Sequence, residues 1–144
     1  MEKFKVKLTS ITFFASLMAL FFISSCTNAQ QSSTSEGGAI VNASAEEFKK
    51  GMHGENVILI DVRTPDEVSQ GMIEGAQDID IYSPNFAKRI AELDTNKTVY
   101  VYCRSGGRSS RAAQQMKEIG FKKIYNLNGG INGWIQEGNP TVKP

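Results

Sequence analysis

The sequence predicts an α/β fold in which a parallel sheet is covered by helices on both faces. Three observations carry that expectation. Residues 57–60 (VILI) and 99–102 (VYVY) are uninterrupted apolar and aromatic runs, the pattern of strands buried on both sides. Segments with helical spacing and capping signals fall between the strand candidates, which is the alternation that builds parallel sheets. The chain has 144 residues, 40% of them hydrophobic and 22% charged, enough for one ordinary domain with a core.

The elements follow in order. Ile40-Val41 is a short first strand. Ser44-Ala45-Glu46-Glu47 has capping-box spacing ahead of Phe48 and opens a helix. The strand 57–60 comes next. Thr64-Pro65-Asp66-Glu67 repeats the capping pattern with Pro at the first helical position. Residues 76–81 (AQDIDI) form a weaker strand. Ser83-Pro84 opens a third helix on which Phe86, Ile90 and Leu93 share one face. After the strand 99–102, a fourth helix over 109–119 places Ala112, Met116 and Ile119 together and stops at Gly120. A strand over 123–127 (KIYNL) precedes a last helix over 131–137, closed by Gly138.

The N-terminus reads as a targeting segment. Lys3, Lys5 and Lys7 precede an apolar stretch diluted by hydroxyl residues, which ends in Ile23-Ser24-Ser25-Cys26. The stretch is shorter than the roughly 20 apolar residues of a spanning helix. Ile-Ser-Ser-Cys resembles a bacterial lipobox. That resemblance implies cleavage after residue 25, a lipid on Cys26 and a place in the bacterial cell envelope, anchored to a membrane. The alternative is an ordinary signal cut near Ala29, with no anchor. Residues 26–38 then form the lipidated Cys and a flexible tether rich in Ser, Thr, Gln and Gly. The domain proper runs over 39–144.

Charge and cysteine content narrow the function. Sixteen Lys and Arg against 15 Asp and Glu give a net charge of +1, which offers no support for nucleic-acid binding. Two Cys and one His are too few for a structural zinc site within one chain. With Cys26 acylated, Cys103 has no partner for an intramolecular disulfide. A free Cys can be a small buried core residue, but the residues around Cys103 argue for chemistry.

In open parallel sheets the ligand site lies beyond the carboxyl ends of the strands. That edge receives Cys103 after the strand 99–102, and Asp61 and Arg63 after the strand 57–60. His53 precedes its strand and belongs at the opposite edge. The loop Cys103-Arg104-Ser105-Gly106-Gly107-Arg108 leads into the fourth helix. Its two glycines let the backbone turn its N–H groups inward. The helix dipole and the two arginines add positive potential. All of these favour a thiolate at Cys103, and hence a nucleophile near neutral pH. Asp61 and Arg63 are expected to form structural hydrogen bonds or an ion pair. Gly71, Gly75, Gly129 and Gly130 are expected in turns, and Trp134 is expected against the sheet.

The chain here resembles the rhodanese family. Asp61-Val62-Arg63-Thr64-Pro65-Asp66-Glu67 is similar to its first signature. Gly71-Met72-Ile73-Glu74-Gly75-Ala76 is similar to its second, with Met72 where the family often has His. CRSGGRS is similar to its active loop. Asn126-Leu127-Asn128-Gly129-Gly130-Ile131 with Trp134 is similar to its closing signature. The resemblance implies a three-layer α/β/α fold with a five-stranded parallel sheet. It also implies transfer of sulfane sulfur through a Cys103 persulfide, with no cofactor and no metal. Cys103 is then catalytic, while Arg104, Ser105, Gly106, Gly107 and Arg108 bind substrate. Arg104 is expected to meet the anionic donor and Arg108 to support loop shape and field. The implied partners are thiosulfate or a similar donor, and cyanide, a thiol or a dithiol protein as acceptor. The two arginines favour thiosulfate over mercaptopyruvate.

Two rivals belong to other classes. A cysteine phosphatase or arsenate reductase usually has five residues between Cys and Arg, whereas Ser109 occupies that place here. A sulfur carrier or interaction module would load once without turnover. A disulfide reductase lacks its Cys-x-x-Cys.

Overall fold

The computed structural model describes residues 38–144. The leader, Cys26 and all of the tether except Gly38 lie outside the described residues. Ten elements follow one another as β1 (Ala39–Ala43), α1 (Ala45–Gly51), β2 (Val57–Asp61), α2 (Pro65–Ser69), β3 (Gln77–Asp78), α3 (Phe86–Ala91), β4 (Thr98–Tyr102), α4 (Gly107–Glu118), β5 (Lys123–Leu127) and α5 (Gly130–Gln136). The five strands form one parallel sheet in the order β1-β5-β4-β2-β3.

Strand periodicity sorts the core into two layers. Ile58 and Ile60 of β2, Val99 and Val101 of β4 and Ile124 of β5 join Phe86 and Ile90 of α3 and Ala112, Ala113 and Met116 of α4. Leu59, Tyr100, Tyr102 and Leu127 take the other face, with Phe48 of α1 and Ile131 and Trp134 of α5. Phe48 meets Tyr100 edge-on at 5.0 Å between ring centroids. Such a pair contributes about 0.5–1.5 kcal/mol beyond its buried area.

Both predicted capping boxes form. The Ser44 hydroxyl accepts from the Glu47 N–H at 3.3 Å, and the Ser44 N–H donates to Glu47 Oε2 at 2.9 Å. Thr64 and Glu67 make the equivalent box ahead of Pro65. These boxes satisfy N–H groups that a helix start otherwise leaves unpaired.

Beyond shifts of one or two residues at β1, β2, β4 and α5, three boundaries differ from the sequence reading for a local reason. The strand over 76–81 shrinks to two residues. Past Asp78, Asp80 turns the chain by accepting from the Tyr82 N–H at 2.9 Å. Ser83-Pro84-Asn85 is a turn rather than a helix start, closed by the Phe86 N–H on the Ser83 carbonyl at 3.0 Å. The fourth helix begins at Gly107, two residues early, because the Gly106 carbonyl already accepts from the Ser110 N–H at 3.0 Å. Arg108 therefore sits in the first turn of α4 and not in the loop. Among the described residues no helix is long and apolar enough to cross a membrane.

Candidate active site

The carboxyl ends of β2 and β4 set the positions of Asp61 and Cys103, and His53 is exposed before β2 at the far edge. Continuing the alternation of Val99 and Val101, Cys103 packs on the α4 side. It is a free thiol only 1% exposed. The chain then turns through Gly106, whose φ of +100° is a conformation that glycine adopts without strain.

That turn folds the backbone around the sulfur. The Gly106 N–H donates to Sγ at 3.1 Å, and the Ser109 hydroxyl lies at 3.4 Å. The same hydroxyl lies 3.0 Å from the Gly106 carbonyl, so its single proton has two acceptors. Ionisation of the sulfur draws it toward Sγ, since hydrogen bonds to charged groups are the stronger ones. Burial opposes ionisation of Cys103. The Ser109 hydroxyl and the N–H groups of Ser109, Ser105 and Gly106 outweigh it and hold the thiol below its ordinary pKa.

The loop is held from behind by the β5–α5 connection. The Cys103 carbonyl accepts from the Ile131 N–H at 2.8 Å, and the Arg104 carbonyl from the Asn132 N–H at 3.1 Å. Gly130 makes this approach possible. A Cβ there would lie 2.4 Å from the Cys103 carbonyl oxygen, at a φ of +59°. The expected turn role of Gly130 is thus also a close-packing role against the site.

Two ion pairs brace the surroundings. Arg63 donates to both Asp61 oxygens, at 2.9 Å from Nε and 2.6 Å from a terminal nitrogen. It also donates to the carbonyls of Gly71 at 2.7 Å and Glu67 at 3.2 Å. Both side chains are buried, so the pair is structural, as expected. Burial works against the Arg63 charge, but Asp61 more than compensates and raises its pKa. Arg108 grips Glu67 of α2 through two 2.6 Å bonds. The guanidinium, opposed by burial and helped by Thr64, holds the Glu67 carboxyl at about 2. The guanidinium also lies over the Tyr82 ring, 5.9 Å from its centroid.

The structure gathers Cys103, Ser105 and Gly106 around the sulfur. It leaves Arg104 exposed at the rim and turns Arg108 toward α2. Gly107 opens α4. The sequence marks Ser109 as a helix start and the end of the loop motif, and Glu67 as part of a capping box and the first signature, but gives neither a part in the site. The signal for Ser109 is a hydroxyl two residues beyond the second glycine. Nothing local ties Glu67 to Arg108, 41 positions away.

The model for the rhodanese-like domain matches residues 44–137. A sulfurtransferase of Allochromatium vinosum is 39% identical over 90 residues, spanning 62% of this chain and 82% of that protein. The solved structure of a rhodanese-related protein from Thermoplasma volcanium superposes with a TM-score of 0.62 at 27% identity, covering 71% of this chain and 97% of the other. A Rhodopseudomonas palustris structure described as a possible tyrosine phosphatase reaches 0.56 at 29% identity, over 72% and 85% of the two chains.

Proposed function

The chain belongs to the rhodanese-like domain family, with a sulfurtransferase among its relatives, and on that premise we propose that it moves sulfane sulfur from thiosulfate to a thiophilic acceptor through a persulfide on Cys103. The observation that carries this reading is the Cys103 sulfur at the focus of inward N–H groups and the Ser109 hydroxyl.

The Cys103 thiolate attacks the outer sulfur of thiosulfate. The sulfur–sulfur bond of the donor breaks, and sulfite leaves with its electron pair. The Cys103 persulfide carries the negative charge, and the loop N–H groups stabilise it as an oxyanion hole would. An acceptor then removes the outer sulfur and restores the thiolate. Once the thiol is ionised, neither step requires a general base. Arg104 attracts the anionic donor, while Arg108 stiffens the junction of loop and helix through Glu67. This engagement of Arg108, together with the short loop, weighs against phosphoryl transfer, which needs a free guanidinium at the phosphate. Continuous thiocyanate formation from thiosulfate and cyanide tests the enzyme reading. A single loading event per chain would instead mark a carrier.

The depressed Cys103 pKa makes sulfur loading pH-dependent in a defined sense. Loading is expected to reach half its plateau rate below the pH at which an ordinary thiol ionises. Ser109→Ala should move that midpoint up by about one unit, the worth of one hydrogen bond to a charged group. A stopped-flow pH profile unchanged by the substitution would count against the role of Ser109.

The leader extends the proposal to location: an exported domain held to a membrane of the cell envelope through a lipid on Cys26. Palmitate labelling of the expressed full chain, lost in Cys26→Ala, is the expected result; equal labelling of both would refute it.

A further inference from the structure

Two Asn-Gly pairs, Asn128-Gly129 and Asn132-Gly133, lie where the β5–α5 connection meets the Cys103 loop. Asparagine carboxamides are thermally labile, and most so ahead of glycine. With no Cβ in the way, the glycine nitrogen can reach the carboxamide carbon of the residue before it. Every other asparagine over 38–144 precedes a residue with a side chain.

The two pairs differ in the state of that nitrogen. The Gly133 N–H is taken up in the first turn of α5, donating to the Gly129 carbonyl at 3.1 Å. The Gly129 N–H donates to no backbone carbonyl among the described residues, and Asn128 is exposed. No backbone hydrogen bond has to break before the Gly129 nitrogen reacts.

The turn that carries Asn128 bears on the sulfur from two sides. A Cβ on Gly106 would lie 3.6 Å from the Leu127 carbonyl oxygen and 3.7 Å from the Gly129 nitrogen. Residues 127–129 therefore pack against Gly106, whose N–H donates to Cys103 Sγ. Gly130 approaches the Cys103 carbonyl so closely that it has no room for a Cβ. Asn128 itself is pinned, its N–H donating to the Ala43 carbonyl at 2.9 Å. Packing of this closeness leaves no slack for a longer main chain.

We propose that Asn128-Gly129 is a self-modification site, and that its conversion to isoaspartate turns down sulfur loading at Cys103. The effect on loading rests on the persulfide reading above; the modification itself does not. The Gly129 nitrogen gives its proton to solvent and attacks the Asn128 carboxamide carbon. A carbon–nitrogen bond forms, the bond to the amide nitrogen breaks, and ammonia leaves with that electron pair and a proton from solvent. Water then opens the succinimide ring. Opening at the side-chain carbonyl gives aspartate. Opening at the main-chain carbonyl gives isoaspartate, whose main chain runs through the side-chain carbon and is one atom longer. The extra atom pushes the Gly129–Gly130 turn against Gly106 and the Cys103 carbonyl, and the N–H groups lose their aim at the sulfur. Both steps exchange ammonia for water, so no oxidant or reductant is needed.

The test stores the full chain in warm, mildly alkaline buffer. Peptide mass follows each asparagine, enzymatic methylation by an isoaspartyl methyltransferase follows isoaspartate, and intact mass follows thiosulfate loading. Asn128 is expected to convert while Asn132 stays intact. The converted chain should load about tenfold more slowly, as a thiol with its pKa one unit higher would. Asn128→Gln, whose longer side chain closes an imide ring far more slowly, should keep its loading rate through the same storage. Prolonged treatment with the methyltransferase and S-adenosylmethionine, which turns isoaspartate into aspartate, should restore most of the rate. An intact Asn128, equal conversion at Asn132, unchanged loading in the converted chain, or no recovery on repair would overturn the proposal. A fresh chain that never gains sulfur defeats the persulfide reading instead. Alkylation of Cys103 by iodoacetamide then reads the site, and a rate unchanged by conversion would overturn the proposal on its own.

Discussion

Cys103→Ser is expected to reduce thiosulfate-dependent thiocyanate formation by at least about 10³-fold, on the scale seen when a nucleophile is removed. A serine hydroxyl stays protonated in this loop at neutral pH, and its oxygen does not carry sulfane sulfur through the cycle. The fold should persist. Cys103 is a small side chain at 1% exposure, and Ser nearly matches its volume. The new hydroxyl also inherits the Gly106 N–H as a donor, so it is not buried without a partner. The change in unfolding free energy should stay within about 1.5 kcal/mol. Turnover and urea denaturation of the same preparation check both halves. Retained turnover would remove Cys103 from the chemistry.

Asp61→Ala should produce the largest loss of stability. Arg63 is 5% exposed, and among the described residues Asp61 is its only counter-charge in direct contact. The carbonyls of Gly71 and Glu67 would remain as acceptors, but neither carries charge. Breaking a buried pair in this way costs about 3–5 kcal/mol, because a charge is left without compensation. That is a large share of the roughly 5–15 kcal/mol that holds a domain together. Asp61→Ala with Arg63→Met removes both charges and should recover much of the loss. Urea midpoints for the single and double variants make the comparison. If the single variant lost under about 1 kcal/mol, the pair would not be the brace described here.

Much of this architecture is written locally. The runs VILI and VYVY identify the central strands because both faces of a parallel sheet are covered. The boxes at Ser44 and Thr64 mark helix starts with side chains that the structure uses as caps. Cys103 stands out as a candidate because it lies between a buried strand and a loop with two glycines that leads into a helix. The errors also have local causes. The spacing starts the fourth helix at Ser109, yet Gly106 at φ +100° starts it earlier and frees Ser109 to face the sulfur. Asp80 ends β3 through a side-chain turn that strand periodicity does not encode. The grip of Arg108 on Glu67, the clamp of the β5–α5 turn on the Cys103 carbonyl and the bridge of Val142 to Met72 were not legible. Each joins segments far apart in the chain, and only the folded sheet brings them together.

The proposed reaction requires that Cys103 hold sulfur covalently. Intact mass of the reduced, folded chain after thiosulfate treatment tests it most directly, with Cys103→Ser in parallel. The expected result is a gain of one sulfur atom, absent from the variant and lost on adding cyanide. An unchanged mass for folded, reduced protein, or the same gain in Cys103→Ser, would contradict it.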